Sequence, residues 1–205
     1  MKQRLMRVGG AAAVVAVGIV AVASSGDEQS TSTSVEGLDE LVVRDEATAG
    51  YERSFFEHWV DADGDGCDTR AEVLMAESVV EVDKTRSCRV RAGEWKSMYD
   101  GSVITDASDV DIDHVVPLAE AWRSGAWDWD GPRRRAYAND VKNAETLVAV
   151  SASSNRSKGD KDPDSWLPDK NRCQYVASWV AVKREWDLTV DAAELTALRS
   201  VAGSC

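Results

Sequence analysis

The sequence predicts an α+β domain, exported and stapled by disulfides. Three features point there. Short β-branched runs alternate with segments whose apolar residues recur at helical spacing. The chain carries four cysteines, an even number. An uncharged apolar run follows a basic cluster at the N-terminus.

That N-terminal segment is read first. Lys2, Arg4 and Arg7 precede the small apolar residues 8–23, and Ala21-Val22-Ala23 supplies the small-x-small pattern of signal-peptidase cleavage. Residues 1–23 are therefore expected to be a signal peptide. The run is shorter than the roughly 20 residues of a bilayer-spanning helix. The expectation is a secreted chain with no stable membrane association after cleavage, or one tethered at the cell surface if the segment is retained. Residues 24–50 contain "SSGDEQSTSTSVEG", polar and poor in aromatics, and read as a flexible linker. The folded domain is placed at 51–205.

Within it, Tyr51 to Trp59 has helical apolar spacing. "TRAEVLMAES", 69–78, is a helix opening on a Thr cap with a Glu three residues on. Residues 79–82 and 88–90 look like short strands, and "GEWKSMYDG" reads as a strand running into a turn. Val110 and Ile112 alternate toward Asp113-His114. Pro117 then opens a helix, "LAEAWRSGA", that ends at Gly125. A second short helix spans 133–139, and "TLVAV", 146–150, is a buried strand. "SASSNRSKGDKDP" gives Ser caps, a turn or two of helix and stops at Gly159 and Pro163. "CQYVASWVAVKREW" is an amphipathic helix with Tyr175, Val176, Trp179, Val182 and Trp186 on one face, and "DAAELTALRSVA" is the last helix. There is no internal repeat.

In an exported chain, Cys67, Cys88, Cys173 and Cys205 read as two disulfides, for which three pairings exist. Short loop closure favours Cys67–Cys88 and Cys173–Cys205, each worth roughly 3 kcal/mol. No CxxC or HxxxH spacing suggests zinc. The net charge of −12 counts against broad nucleic-acid binding, which needs a basic footprint. Arg133-Arg134-Arg135, Lys142, Arg156, Lys158 and Lys161 still supply a local basic set, so any such binding is local and salt-sensitive.

The chemistry concentrates at "SDVDIDHVVPL", which holds one of two histidines in the chain. A neutral imidazole can take a proton from water near neutral pH. Carboxylate and amide oxygens are hard ligands for a divalent ion that stabilises charge on a phosphate. Together, "DIDHVVPLAEAW", "ANDVKNAETLVAV" and "SNRSKGDKDPDSWLP" resemble the HNH, or ββα-metal, endonucleases, and most closely secreted proteins related to the C-terminal nuclease domain of GmrSD-type restriction enzymes. The resemblance spans about Cys67 to Cys205.

The resemblance implies a ββα-metal core with additional helices and an endonuclease that hydrolyses phosphodiester bonds of nucleic acid, DNA before RNA. It implies His114 as general base, with Asp113 and Asn155 as metal ligands. Mg²⁺ is the expected ion, with Mn²⁺ as substitute. Asn143 best matches the residue that orients the histidine. Asn139 competes for that place, because "NDVKNAETL" departs from an Asn placed directly before Leu. Arg156 and Lys158 are candidate phosphate contacts. Nothing in the sequence fixes strandedness, base preference or oligomeric state.

A second motif leads elsewhere. "DADGDGCDTRAE", 61–72, fits the spacing of a calcium loop: Asp61, Asp63 and Asp65 supply carboxylates, Cys67 a carbonyl and Glu72 a bidentate carboxylate, with Gly66 at the turn. Asp68 where an apolar residue is usual, and Cys67 within a disulfide, weigh against it. A structural Ca²⁺ there would suit a rival reading, an exported calcium-stabilised binding module without catalysis. That reading leaves Asp113, His114 and Asn155 without a task.

Overall fold

The computed structural model describes residues 35–205; the expected signal peptide and residues 24–34 of the expected linker lie outside the described residues. The described part is α+β. Helix α1 (Thr69–Glu77) starts where Asp68 accepts from the Ala71 amide at 2.8 Å. Asp68, not Thr69, is thus the cap, because the Thr69 hydroxyl donates to Asn139 Oδ1 at 2.8 Å. β1 (Asp83–Lys84), β2 (Val90–Lys96) and β3 (Val103–Asp106) form an antiparallel sheet in that order. The run at 79–82 does not form the expected strand. Val79 and Val80 are exposed, and Val79 makes a single amide bond to Glu94 O of β2.

The second sheet positions the site. β4 (Val110–His114) and β5 (Leu147–Ser151) pair antiparallel, with Asp113 opposite Val148 and His114 opposite Leu147. Between them come α2 (Leu118–Arg123) and α3 (Gly131–Ala138). α4 (Ala152–Lys158) grows directly from the end of β5, because Ser151 turns out of the strand and its hydroxyl accepts from the Ser154 amide. Gly159, with φ of 61°, stops the helix. α4 folds back against both strands. α5 (Arg172–Glu185) and α6 (Ala192–Ala202) complete the order.

The β4–β5 ribbon is buried on both faces. Ile112 and Ala149 join an apolar cluster with α1 and β2, while Val148 and Val150 join the larger cluster formed with α2, α3, α5 and α6. Alternation along a strand produces this two-sided packing. Lys183, Glu120 and Glu194 are fully buried between α5, α2 and α6, with Lys183 Nζ 2.8 Å from Glu120 and 2.7 Å from Glu194. The two disulfides are Cys67–Cys88 and Cys173–Cys205, the pairing that short loop closure favours.

Two expectations near the start of the domain fail. Residues 51–59 form only a 3-10 turn at Arg53–Phe55, because Phe56 turns fully into the core and Trp59 adopts a left-handed φ of 60°. Residues 35–50, read as part of a linker, lie along the domain. Leu38 and Leu41 are buried, Val42 and Arg44 exchange backbone bonds with Val190, and Ala47 N donates to Arg123 O. The average polarity of this stretch masked two well-spaced leucines.

Candidate active site

Asp113 and His114 sit on the last two residues of β4, where the ribbon is about to end. In a regular strand they face opposite sides, and both still line one cavity of about 410 Å³. Asn155, one turn into α4, lines it as well, together with Tyr51, Arg53 and Asp160. The three side chains that the sequence singled out for catalysis and metal are therefore brought together across some forty residues of chain.

Each is held in place. Asp113 Oδ2 accepts from the Tyr99 hydroxyl at 2.6 Å and from Lys158 Nζ at 2.6 Å, and Oδ1 has no protein partner among the described residues. Lys158, fully buried, also donates to His114 O at 2.8 Å. Burial pushes the Asp113 carboxyl up and the Lys158 ammonium down, and their mutual attraction opposes both shifts. Burial also raises the Tyr99 phenol well above its ordinary value, with Asp113 reinforcing it, so the phenol remains a donor. Asn155 Nδ2 donates to Asp111 Oδ2 at 3.1 Å, which fixes the amide and leaves its carbonyl oxygen for another partner.

The His114 ring packs between Trp59 and Tyr137, with centroids 6.2 and 5.9 Å away. Its Nε2 lies 3.0 Å from Ala138 O. A carbonyl only accepts, so Nε2 carries the proton and the lone pair sits on Nδ1. Burial pushes the imidazole down to about 3, with the Ala138 bond opposing and the charges of Lys158, Arg53 and His58 adding to the fall. The ring is neutral at neutral pH.

Other expected residues lie elsewhere. Lys158 does not reach a surface where a phosphate could meet it: three residues past Asn155 on α4, it points inward to the strand end. Arg156, between the two, faces a separate surface cleft with Asp106 and Asp109. Asn143 Nδ2 donates to Glu185 in an exposed loop on the rim of another cavity, away from His114. Asn139 instead follows the carbonyl that holds His114. It accepts from Val60 N and the Thr69 hydroxyl, and donates to Glu57 O and Arg135 O at 2.7 and 2.8 Å. These bonds tie the end of α3 to the segment before α1. Tyr99, Tyr51 and Arg53 escaped the sequence reading, since no motif surrounds them.

In the acidic loop, carboxylate oxygens of Asp61, Asp63 and Asp65 lie within 4.8 Å of one another, and all three residues are exposed. Asp61 accepts from Gly64 N at 2.8 Å and Gly66 N at 3.0 Å. Glu72 does not join that cluster; burial raises its carboxyl, and Asp63, Asp65 and Asp61 add to the rise. Only α1 flanks the loop, so the helix expected on its N-terminal side is absent.

Compared with known proteins, residues 70–201 match the family model described as GmrSD restriction endonucleases, C-terminal domain. A protein of Arthroderma benhamiae, named an uncharacterized secreted protein, is 44% identical over 180 residues, covering 86% of each chain. No solved structure matches. No helix among the described residues is long and apolar enough to cross a membrane.

Proposed function

Because the chain belongs to the family of the GmrSD restriction endonuclease C-terminal domain, we propose that it is an exported, metal-dependent endonuclease with a ββα-metal core, β4–β5–α4, that hydrolyses phosphodiester bonds of nucleic acid, DNA before RNA. The single observation that carries this reading is the common cavity of Asp113, His114 and Asn155. Export rests on the N-terminal sequence, the paired cysteines and the name of the secreted relative.

The donor set suits a hard divalent ion. Asp113 Oδ1 and the Asn155 carbonyl oxygen are both hard oxygens, and two protein ligands leave room for water and substrate, as Mg²⁺ prefers. Such an ion, when bound, supplies Lewis-acid charge neutralisation at the scissile phosphate. His114 Nδ1 takes the proton of the attacking water as the water oxygen bonds to phosphorus. The P–O3′ bond breaks, the 3′ oxygen takes up a proton from solvent water, His114 returns its proton to solvent, and the products are a 5′-phosphate and a 3′-hydroxyl. The Ala138 carbonyl keeps Nδ1 turned toward the cavity, and Asn139 holds the backbone that carries that carbonyl. Asn139, not Asn143, therefore has the orienting role in this reading. Lys158 and Tyr99 fix Asp113 through Oδ2 and leave Oδ1 toward the cavity.

The test is plasmid nicking and oligonucleotide cleavage, DNA and RNA in parallel, with Mg²⁺, Mn²⁺ or EDTA. Cleavage should require the metal. His114→Ala should lose about 10²–10⁴-fold in rate. Because it also empties the space between Trp59 and Tyr137, its thermal midpoint falls, and rates are compared at a temperature where circular dichroism shows both proteins folded. Asn143→Ala should cut like the wild type and Asn139→Ala should not. Undiminished cutting by His114→Ala would sink the assignment.

The acidic loop is proposed as a separate structural Ca²⁺ site, supported by the convergence of Asp61, Asp63 and Asp65. It predicts a rise in thermal midpoint with Ca²⁺ that Asp63→Asn removes, with cleavage unaffected. A chain that cuts nothing but shows that rise would favour the binding-module reading.

A further inference from the structure

We propose that Arg53, outside the family-matched region, is the side chain that binds a nonbridging oxygen of the substrate phosphate. The inference rests on the nuclease reading of the same cavity. A chain with a net charge of −12 repels a polyanion at long range, so the site needs a cation at short range. The cations expected for that work are committed elsewhere: Lys158 to Asp113, Arg156 to another face. Arg123, close by, is held by Glu46, Glu120 and Asp160.

Among the described residues, Arg53 is the one cationic side chain lining the cavity; it is exposed and forms no ion pair there. The acids that face it are accounted for. Asp160 is bonded by Arg123, whose guanidinium also donates to the Asp160 carbonyl at 2.6 Å, and Asp113 is held by Lys158.

Arg53 is also positioned. Upstream, the Trp122 indole N–H donates to Ala49 O at 3.1 Å. Downstream, Phe55 stacks on Trp122 at 5.3 Å and Phe56 is fully buried against Tyr51 and Tyr137. Five residues lie between Ala49 and Phe55, so the backbone at Arg53 has little freedom, and its side chain lines the cavity beside the Tyr51 phenol. A guanidinium so placed meets a phosphate with its paired donors and gives up no existing salt bridge.

The experiment uses the full chain carrying Arg53→Ala or Arg53→Lys. Two readouts are taken: KM and kcat for a fluorescein-labelled DNA duplex across a salt series, and anisotropy of the same duplex with the variants in a His114→Ala background in EDTA. Arg53→Ala should raise KM and weaken binding ~10- to 100-fold, the range of a lost charged hydrogen bond. Its log–log salt slope should be shallower by about one. Arg53→Lys should restore the slope and part of the affinity. The thermal midpoint should not move. Cutting by the wild type with unchanged KM and slope in Arg53→Ala would overturn this role and leave the nuclease reading standing. No cutting by the wild type, with binding that still depends on Arg53, would overturn the nuclease reading and keep the phosphate site. Binding that ignores Arg53 in a chain that does not cut overturns both.

Discussion

Lys158 brings its ammonium into a fully buried place, where it meets Asp113, the His114 carbonyl and the face of the Tyr99 ring. Desolvation of two charges is nearly cancelled by their attraction, so the pair as a whole contributes little, but breaking it is costly. Lys158→Met should therefore destabilise the fold by about 3 kcal/mol. Adding Asp113→Asn in the same chain should recover much of that loss, since the orphaned carboxylate disappears. Urea denaturation of the three variants measures both; a loss under about 0.5 kcal/mol for Lys158→Met, the level of an ordinary surface change, would show that the pair is not buried as described. Composition reads "NRSK" as a basic surface run, because lysine is rarely buried. The spacing of three from Asn155 does place Lys158 on the same helix face, but only the strand it packs against shows that this face points inward. The two asparagines teach the same lesson. Local sequence favours Asn143 over Asn139, and the bonds that hold Asn139 beside the His114-binding carbonyl come from the distant backbone of Glu57 and Val60.

At the level of the element, β4, β5 and α4 were legible because their signals are local: an alternating run, a buried β-branched run, a Ser cap and a Gly stop. The run at 51–59 has helical spacing without forming a helix, because its aromatic residues serve three separate contacts instead of one helix face. β3 carried no pattern strong enough to announce it. The edge of β5 illustrates what lies between elements. On the side away from β4, the Ala149 amide donates to Glu77 Oε2 at 2.9 Å, from the last residue of α1. Glu77 is half-buried, and burial raises its carboxyl from 4.5 to about 7, the Ala149 bond opposing. A carboxyl whose folded pKa is raised binds its proton more tightly folded than unfolded. Its favourable contribution is complete below about 4.5, falls as pH rises and is gone above about 7. Glu77→Gln keeps an acceptor for Ala149 and removes the charge. It should match the wild type at pH 4 and exceed it at pH 8 by about 1–2 kcal/mol, the linkage value reduced for partial solvation. Urea midpoints between pH 4 and 8 follow the divergence, and a pH-independent gap would rule out titration as its cause.

Across the described molecule, the segment from Val35 to Phe56 acts as a strap that crosses the α5–α6 end, follows α2 and ends at the cavity. The family-matched region begins at residue 70, so the strap is an addition to that region, and it contributes to packing as well as to the site. Leu38 and Leu41 are buried, the latter beside the Val43–Val190 bridge. Full burial of a leucine side chain is worth about 1.5–3 kcal/mol, and ordering the strap's backbone and side chains cancels a large share of that. A chain beginning at Gly50 should therefore lose about 2–4 kcal/mol relative to one beginning at Val35. The loss should appear as a lower urea midpoint with a smaller m-value, since less surface is exposed on unfolding. Leu38→Ala with Leu41→Ala in the longer chain should reproduce most of the drop in midpoint with m nearly unchanged, which separates lost burial from lost chain. Equal midpoints for the two chain lengths would mean that the strap lies on the domain without stabilising it. The shorter chain keeps Tyr51 and Arg53 but loses every anchor up to Ala49, so its KM for DNA should rise toward that of Arg53→Ala even at temperatures where it remains fully folded.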